Sequence, residues 1–310
     1  MKEDIDHRVL RQIIPEGTWL PLVFDVPHCG REHPSDFGSV LPEATLRYGE
    51  DAYIDELIAD APKLEIPILA ARFPRTYIDP NRAPEDINPE LLSEAWPGTG
   101  IGLEQWAEVG VHSLQPSIKS VRGIGLIWQE FAPGGKLYDR QLAPEEVIRR
   151  LQKCYHPYHQ TLASWLRSLR ATFNSVWHVN WHSMKSRGNK HTPDKPGNLR
   201  PHIVIGDLYG TACEPEFTEL VQETLKGLGY DTSLNDPYAG AWVLKHHSSP
   251  EQGIHSLQIE IRRDLYMDEN TLECHEGFNR LQNDLNDLMK AMRKYVNHQL
   301  KRKTKKTEKS

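Results

Sequence analysis

Five short apolar runs separated by helical stretches constrain this chain more than any other feature. The runs are LPLVFDVPH (20–28), IPILAARF (66–73), SVWHVNWHSM (175–184), HIVIGDLYG (202–210) and IHSLQIEIRRDLYM (254–267). Each is rich in Val and Ile and ends at a Pro, Gly or polar residue, as buried strands do. Between them lie helical patterns. EDAYIDELIADAPKL (50–64) puts Ile54, Leu57, Ile58 and Ala61 on one face. Residues 144–170 repeat the pattern, with Pro157 placed to kink or divide the helix. EPEFTELVQETLKGLGY (214–230) is a helix closed by glycine, and 269–300 is a long amphipathic helix. Strands alternating with helices predict an α/β fold: a central, mostly parallel mixed sheet flanked by helices in three layers. At 310 residues the chain suits one large domain, taken as residues 1–300. The segment from Ala83 to Gly125 reads as a long loop, and loops of that length usually cover a site or form an interface.

Composition narrows the function. No apolar run approaches the roughly 18–20 residues that span a bilayer. The first twenty residues mix both charges and lack the apolar core of a signal peptide. The expectation is a cytoplasmic protein without a membrane partner. The last ten residues, KRKTKKTEKS, hold six Lys/Arg against one Glu; a tail at +5 within a total of −6 leaves the first 300 residues at −11. An acidic body argues against a nucleic-acid groove on the domain, and residues 301–310 read as a basic, unstructured tail. Four scattered cysteines, Cys29, Cys154, Cys213 and Cys274, form no CxxC pair, which argues against a disulfide framework and a zinc knuckle. Cys29 beside His28 leaves a Cys/His nucleophile as a minor alternative. No basic stripe accompanies the eight tryptophans, which read as packing rather than as a stacking platform.

Open α/β sheets place their sites at the carboxyl ends of strands, where His28 and His182 both fall. A hydrolytic zinc centre needs imidazoles and carboxylates around one ion, a position left for water, and a carboxylate base that is not a ligand.

PHCG (27–30), ARFPRTYIDPNR (71–82), GIGLIW (123–128), KLYDR (136–140), YHPYH (155–159), NWHSM (180–184), GDLYGTAC (206–213), NDPYAGA (235–241) and LQIEIRRDLYMDE (257–269) occur in that order. Through them the sequence resembles the N-formylglutamate amidohydrolase (deformylase) family from about Leu20 to Met267. That family is similar in turn to zinc carboxypeptidases and aspartoacylases. The resemblance implies a zinc-exopeptidase-like (phosphorylase/hydrolase-like) fold and one zinc ion. It also implies hydrolysis of an N-acyl amino acid, by default N-formyl-L-glutamate to formate and L-glutamate. By the same resemblance His28 and His182 are metal ligands and Glu260 is the general base. Arg262, two residues on and on the same face, aids a developing oxyanion. Asn81 and Arg82 grip a substrate carboxylate, an interaction suited to the planar guanidinium. Arg75 assists there or polarises the scissile carbonyl. Asp51 is the preferred third ligand and Glu32 its competitor. Tyr238, His246, His159 and His255 are candidates to line the pocket, and His246 or His247 to serve the leaving amine. Asn180 stands where the family often has an acid, which puts the partner of His182 in question. The alternatives are a zinc carboxypeptidase or peptidoglycan-type amidase on the same scaffold, and a non-catalytic binding protein.

Overall fold

The computed structural model describes residues 9–98, 110–131, 135–189 and 192–307. Its main sheet has seven strands in the order β1-β3-β2-β6-β9-β7-β8. These are β1 (Leu10–Ile13), β2 (Leu22–Val26), β3 (Ile68–Ala71), β6 (Val176–Met184), β7 (Ile203–Gly206), β8 (Thr232–Leu234) and β9 (Ile254–Arg262). A separate two-stranded hairpin pairs β4 (Glu130–Phe131) with β5 (Gly135–Lys136). β2, β6 and β9 run parallel, whereas β7 is antiparallel to β9 and parallel to β8. The sheet is therefore mixed, and the fold is α/β as the alternation predicts.

By internal contacts the chain forms two compact units interleaved along the sequence. Among the described residues, one comprises those within 9–11, 27–50 and 70–161, the other those within 12–26, 51–69 and 162–307. In the second unit the central strands β2, β6 and β9 are almost wholly buried, which explains their near-continuous apolar character. The helix Gly277–Thr307 lays Leu281, Leu285, Leu288, Met292 and Val296 into the core, each at most 1% exposed. Its spacing is the i, i+4, i+7 stripe read in the sequence. Phe217, on the helix Pro215–Gly227, meets Tyr295 of this helix at 5.5 Å between ring centroids.

In the first unit the buried Arg150 organises the loops. Its guanidinium donates to the carbonyls of Tyr77 (3.0 Å) and Phe37 (3.1 Å) and to the Tyr138 hydroxyl (2.8 Å). The same group lies over the Tyr77 ring, 4.2 Å from its centroid. Aromatic faces and carbonyl oxygens together replace the hydration that burial removes.

Four elements differ from the sequence reading. Residues 50–64 form only a short helix, Ile54–Leu57, and a 3-10 turn, Ala61–Leu64, because Tyr53 adopts φ 66° and Pro62 restarts the chain. Residues 144–173 do stay helical around Pro157, but a π turn at Leu151–Tyr155 just precedes it and absorbs the missing N–H. The last helix starts at Gly277 rather than 269, since the Asp268 carboxylate caps the Asn270 and Thr271 amides in a turn. It continues to Thr307, so residues 301–307 extend the helix where an unstructured tail was expected. Of the Ala83–Gly125 segment, residues 99–109 lie outside the described residues; the remainder holds a 3-10 turn, Pro89–Leu91, and a short helix, Ile118–Val121.

Among the described residues no helix is long and apolar enough to cross a membrane, and none of the four cysteines is in a disulfide.

Candidate metal centre

β2 ends at Val26, and the turn that follows presents His28, which is 1% exposed. Gly30 makes this turn possible, because a Cβ there would overlap the Phe73 carbonyl oxygen. His28 Nε2 lies 2.7 Å from Asp79 Oδ1. Asp79 also accepts from the Asn81 amide (2.8 Å) and, through Oδ2, from Arg75 Nε (3.1 Å) and Nη2 (2.8 Å). Burial pushes the Asp79 carboxyl upward. The charges of Arg75, His28 and Arg82 and the His28 hydrogen bond outweigh that push and hold it well below the usual carboxylate range. An ionised Asp79 accepts only, so His28 Nε2 carries a proton, and in the neutral ring the lone pair falls on Nδ1, the tautomer a metal ligand needs.

The other two candidates are His182 and Asp51. Parallel strands β2, β6 and β9 pair Asp25 with Asn180, Asn180 with Gln258, His178 with Ser256 and His182 with Glu260. Direct partners leave a sheet on the same face, so all seven side chains form one polar patch, opposite Trp177, Val179 and Trp181. His182 Nδ1 lies 2.9 Å from Asp51 Oδ2, and Nε2 lies 2.6 Å from Asn180 Oδ1. The Asn180 amide nitrogen is turned to Asp25 Oδ1 at 2.8 Å, so Asn180 offers His182 its oxygen and Nε2 must donate. In the neutral imidazole Nδ1 then points a lone pair at a carboxylate oxygen. Two acceptors at that distance are relieved by a shared metal cation, or equally by a proton on Nδ1. The other oxygen of Asp51, Oδ1, accepts from Arg263 Nη2 at 3.0 Å, while Arg263 Nε donates to Ser183 Oγ, also at 3.0 Å.

His28, Asp51 and His182 are all buried and each offers one ligand atom, these atoms lying within 4.8 Å of one another. Two imidazoles and one carboxylate are a donor set that suits zinc and leaves a coordination position for water. The group can hold a metal ion. Glu32, the competing third ligand, is exposed and pairs with Arg72 at 2.7 Å.

Glu260 is half-buried on β9, accepting from Gln258 Nε2 at 2.9 Å. Arg75 lies over the Trp128 ring, 5.0 Å from its centroid. Arg82 donates to the carbonyls of Asn81 (2.9 Å) and Ile124 (3.3 Å), and Asn81 is 3% exposed. Arg262 shares the parity of Glu260, but its guanidinium donates to Asp264 (2.6 Å) and to the Arg200 carbonyl (2.7 Å). It is the next residue, Arg263, that reaches Asp51. Tyr238 lies under Arg200, 5.2 Å from ring centroid to guanidinium. His246 is exposed and stacks on Trp242 at 5.1 Å. His159 is buried, its Nε2 at 2.9 Å from the Pro80 carbonyl, and His255 stacks on Trp177 at 5.6 Å. Sequence reasoning assigned no role to Asp25, Asp79 and Arg263, although Asp79 stands inside the quoted DPNR string.

Fold and centre together define an α/β protein with a buried group, His28, Asp51 and His182, able to hold a metal ion. Residues 20–267 match the model of the N-formylglutamate amidohydrolase family, and the chain belongs to that family. It is 28% identical over 254 residues to an N-formylglutamate deformylase of Pseudomonas aeruginosa, covering 81% of this chain and 83% of that one. The crystal structure of an N-formylglutamate amidohydrolase from Ralstonia eutropha JMP134 is similar with a TM-score of 0.85 at 39% identity, over 94% of this chain and 99% of the other. The product Atu2144 of Agrobacterium tumefaciens shares the fold, with a TM-score of 0.65 at 16% identity over 93% and 96% of the two chains.

Proposed function

We propose that this protein hydrolyses the amide bond of an N-acyl amino acid, with N-formyl-L-glutamate the default substrate and formate and L-glutamate the products. The observation that carries the reading is the buried group of His28, Asp51 and His182, with Glu260 paired to His182 across the β6–β9 ladder. Names of relatives in the same family support the substrate. In the proposal one zinc ion is held by His28, Asp51 and His182, and when bound it supplies Lewis acidity toward the acyl carbonyl and toward water. Glu260 takes a proton from the attacking water and delivers it to the departing nitrogen. The Arg75 guanidinium, fixed by Asp79, meets the charge developing on the acyl oxygen, and Arg262 adds positive field from the end of β9. Asn81 and Arg82 anchor the substrate carboxylate, and Tyr238 and His246 complete the substrate contacts.

The test is a substrate panel of N-formyl, N-acetyl and short peptide amides assayed with zinc-loaded protein. Preferential formate release from N-formyl-L-glutamate supports the reading. Turnover confined to peptides or cell-wall fragments transfers the protein to peptidase or amidase chemistry, and absence of any amide turnover removes the enzyme reading.

A further inference from the structure

We infer that Asp25 is a positioning residue that acts through Asn180 to set His182 as a metal ligand. The inference rests on the metal-centre reading above and concerns a residue that touches neither metal nor substrate in that scheme. Asp25, His178, Asn180 and Ser256 are each 0% exposed. Asp25 Oδ1 accepts from Asn180 Nδ2 at 2.8 Å and from His178 Nε2 at 2.7 Å, and His178 Nδ1 lies 3.1 Å from Ser256 Oγ. Serine, histidine and aspartate thus line up as in a nucleophilic triad, but full burial denies them a substrate. The row leads instead to His182.

An amide side chain can present either its oxygen or its nitrogen to a neighbour. A carboxylate only accepts, so Asp25 admits only one orientation of Asn180; the flipped amide would set oxygen against oxygen in a buried site. The admitted orientation aims Asn180 Oδ1 at His182 Nε2, 2.6 Å away, and so requires a proton on Nε2, which leaves the lone pair of the neutral ring on Nδ1, the nitrogen beside Asp51. The tautomer of the ligand is therefore written by a carboxylate one strand away. A service to His178 alone would leave the Asn180 orientation unassigned.

Groups that orient a metal-bound histidine are worth about 10–100-fold in metal affinity. Zinc affinity of the purified full chain is measured by competition with a chromophoric chelator, beside thermal melting of the metal-free protein. Asp25→Asn lets either end of residue 25 face Asn180, and zinc affinity is expected to fall by about 10–100-fold. Exchanging the two side chains (Asp25→Asn with Asn180→Asp) returns an obligate acceptor to His182 Nε2 and is expected to restore affinity. Ser256→Ala cuts the far end of the row and is expected to leave affinity unchanged. Nitrogen-15 NMR of the metal-free wild type reads the tautomer directly, with His182 protonated on Nε2. Wild-type affinity in a folded Asp25→Asn chain, or no recovery in a folded exchange variant, overturns the inference. If neither variant folds, the wild-type spectrum decides, and a proton on Nδ1 overturns it. A wild-type chain that takes up no zinc at all refutes instead the metal-centre reading on which this stands.

Discussion

His182 and Glu260 are direct partners in the parallel β6–β9 ladder, and their side chains leave the sheet on the same face. One strand thus carries a candidate ligand and its neighbour the candidate base, held at a separation fixed by backbone hydrogen bonds. Glu260→Gln keeps shape and hydrogen bonding and removes only the ability to take a proton. Formate release is expected to fall by about 10²–10⁴-fold with zinc content unchanged, as checked by a coupled formate assay and metal analysis on the same preparation.

Asp51 faces His182 with one oxygen and Arg263 with the other, all three within the core. Asp51→Ala leaves the Arg263 guanidinium, which is 7% exposed, without its carboxylate. Urea unfolding of the metal-free protein is expected to show a loss of about 3–5 kcal/mol, the usual cost of stranding one partner of a buried pair. The same variant is expected to retain no zinc after dialysis.

Asp79 is the hub between His28 and Arg75. Asp79→Asn keeps the size of the side chain and removes the charge that fixes both. Zinc affinity is expected to fall by about 10–100-fold, and kcat at saturating zinc to fall because Arg75 loses the carboxylate oxygen that holds its Nε and Nη2. Chelator competition and steady-state kinetics separate these two effects.

Away from the centre, Glu146 accepts from Arg140 Nη1 and Nη2, both at 2.7 Å, and from the Ala143 amide. The Arg140 hydrogen bonds, against an opposing contribution from burial, lower its carboxyl to about 2. A carboxyl depressed in the folded state stabilises it above the unfolded value, about 4.3, and that contribution is lost as pH falls toward about 2. Urea midpoints of wild type and Glu146→Gln are expected to differ most near pH 6 and to converge as the pH falls through this window.

The parts of the molecule legible in the sequence are those written in local pattern. β2, β6 and β9 announce themselves because burial on both faces demands apolar runs, and His28 and His182 stand out at their ends. The edge strands β1 and β8 escaped, being four and three residues long and partly exposed. Spacing could not rank Asp51 against Glu32, since the pairing of Glu32 with Arg72 and the grouping of Asp51 with His182 involve residues far apart along the chain. Arg262 and Arg263 likewise differ by one position, and only packing reveals that Arg263 is the one that reaches Asp51. Asp25 is a single acidic residue inside the apolar run 20–28, and the sequence reading gave it no role. Its meaning lies in His178 and Asn180, more than 150 residues away, a distance no local pattern spans.

Zinc titration into chelator-stripped protein, with formate release from N-formyl-L-glutamate followed at each addition, tests the account most directly. The account predicts uptake of one zinc ion per chain, activity rising in proportion to it, and neither uptake nor activity in His182→Ala. Full formate release by the metal-free wild type, or saturating zinc uptake by His182→Ala, would contradict it.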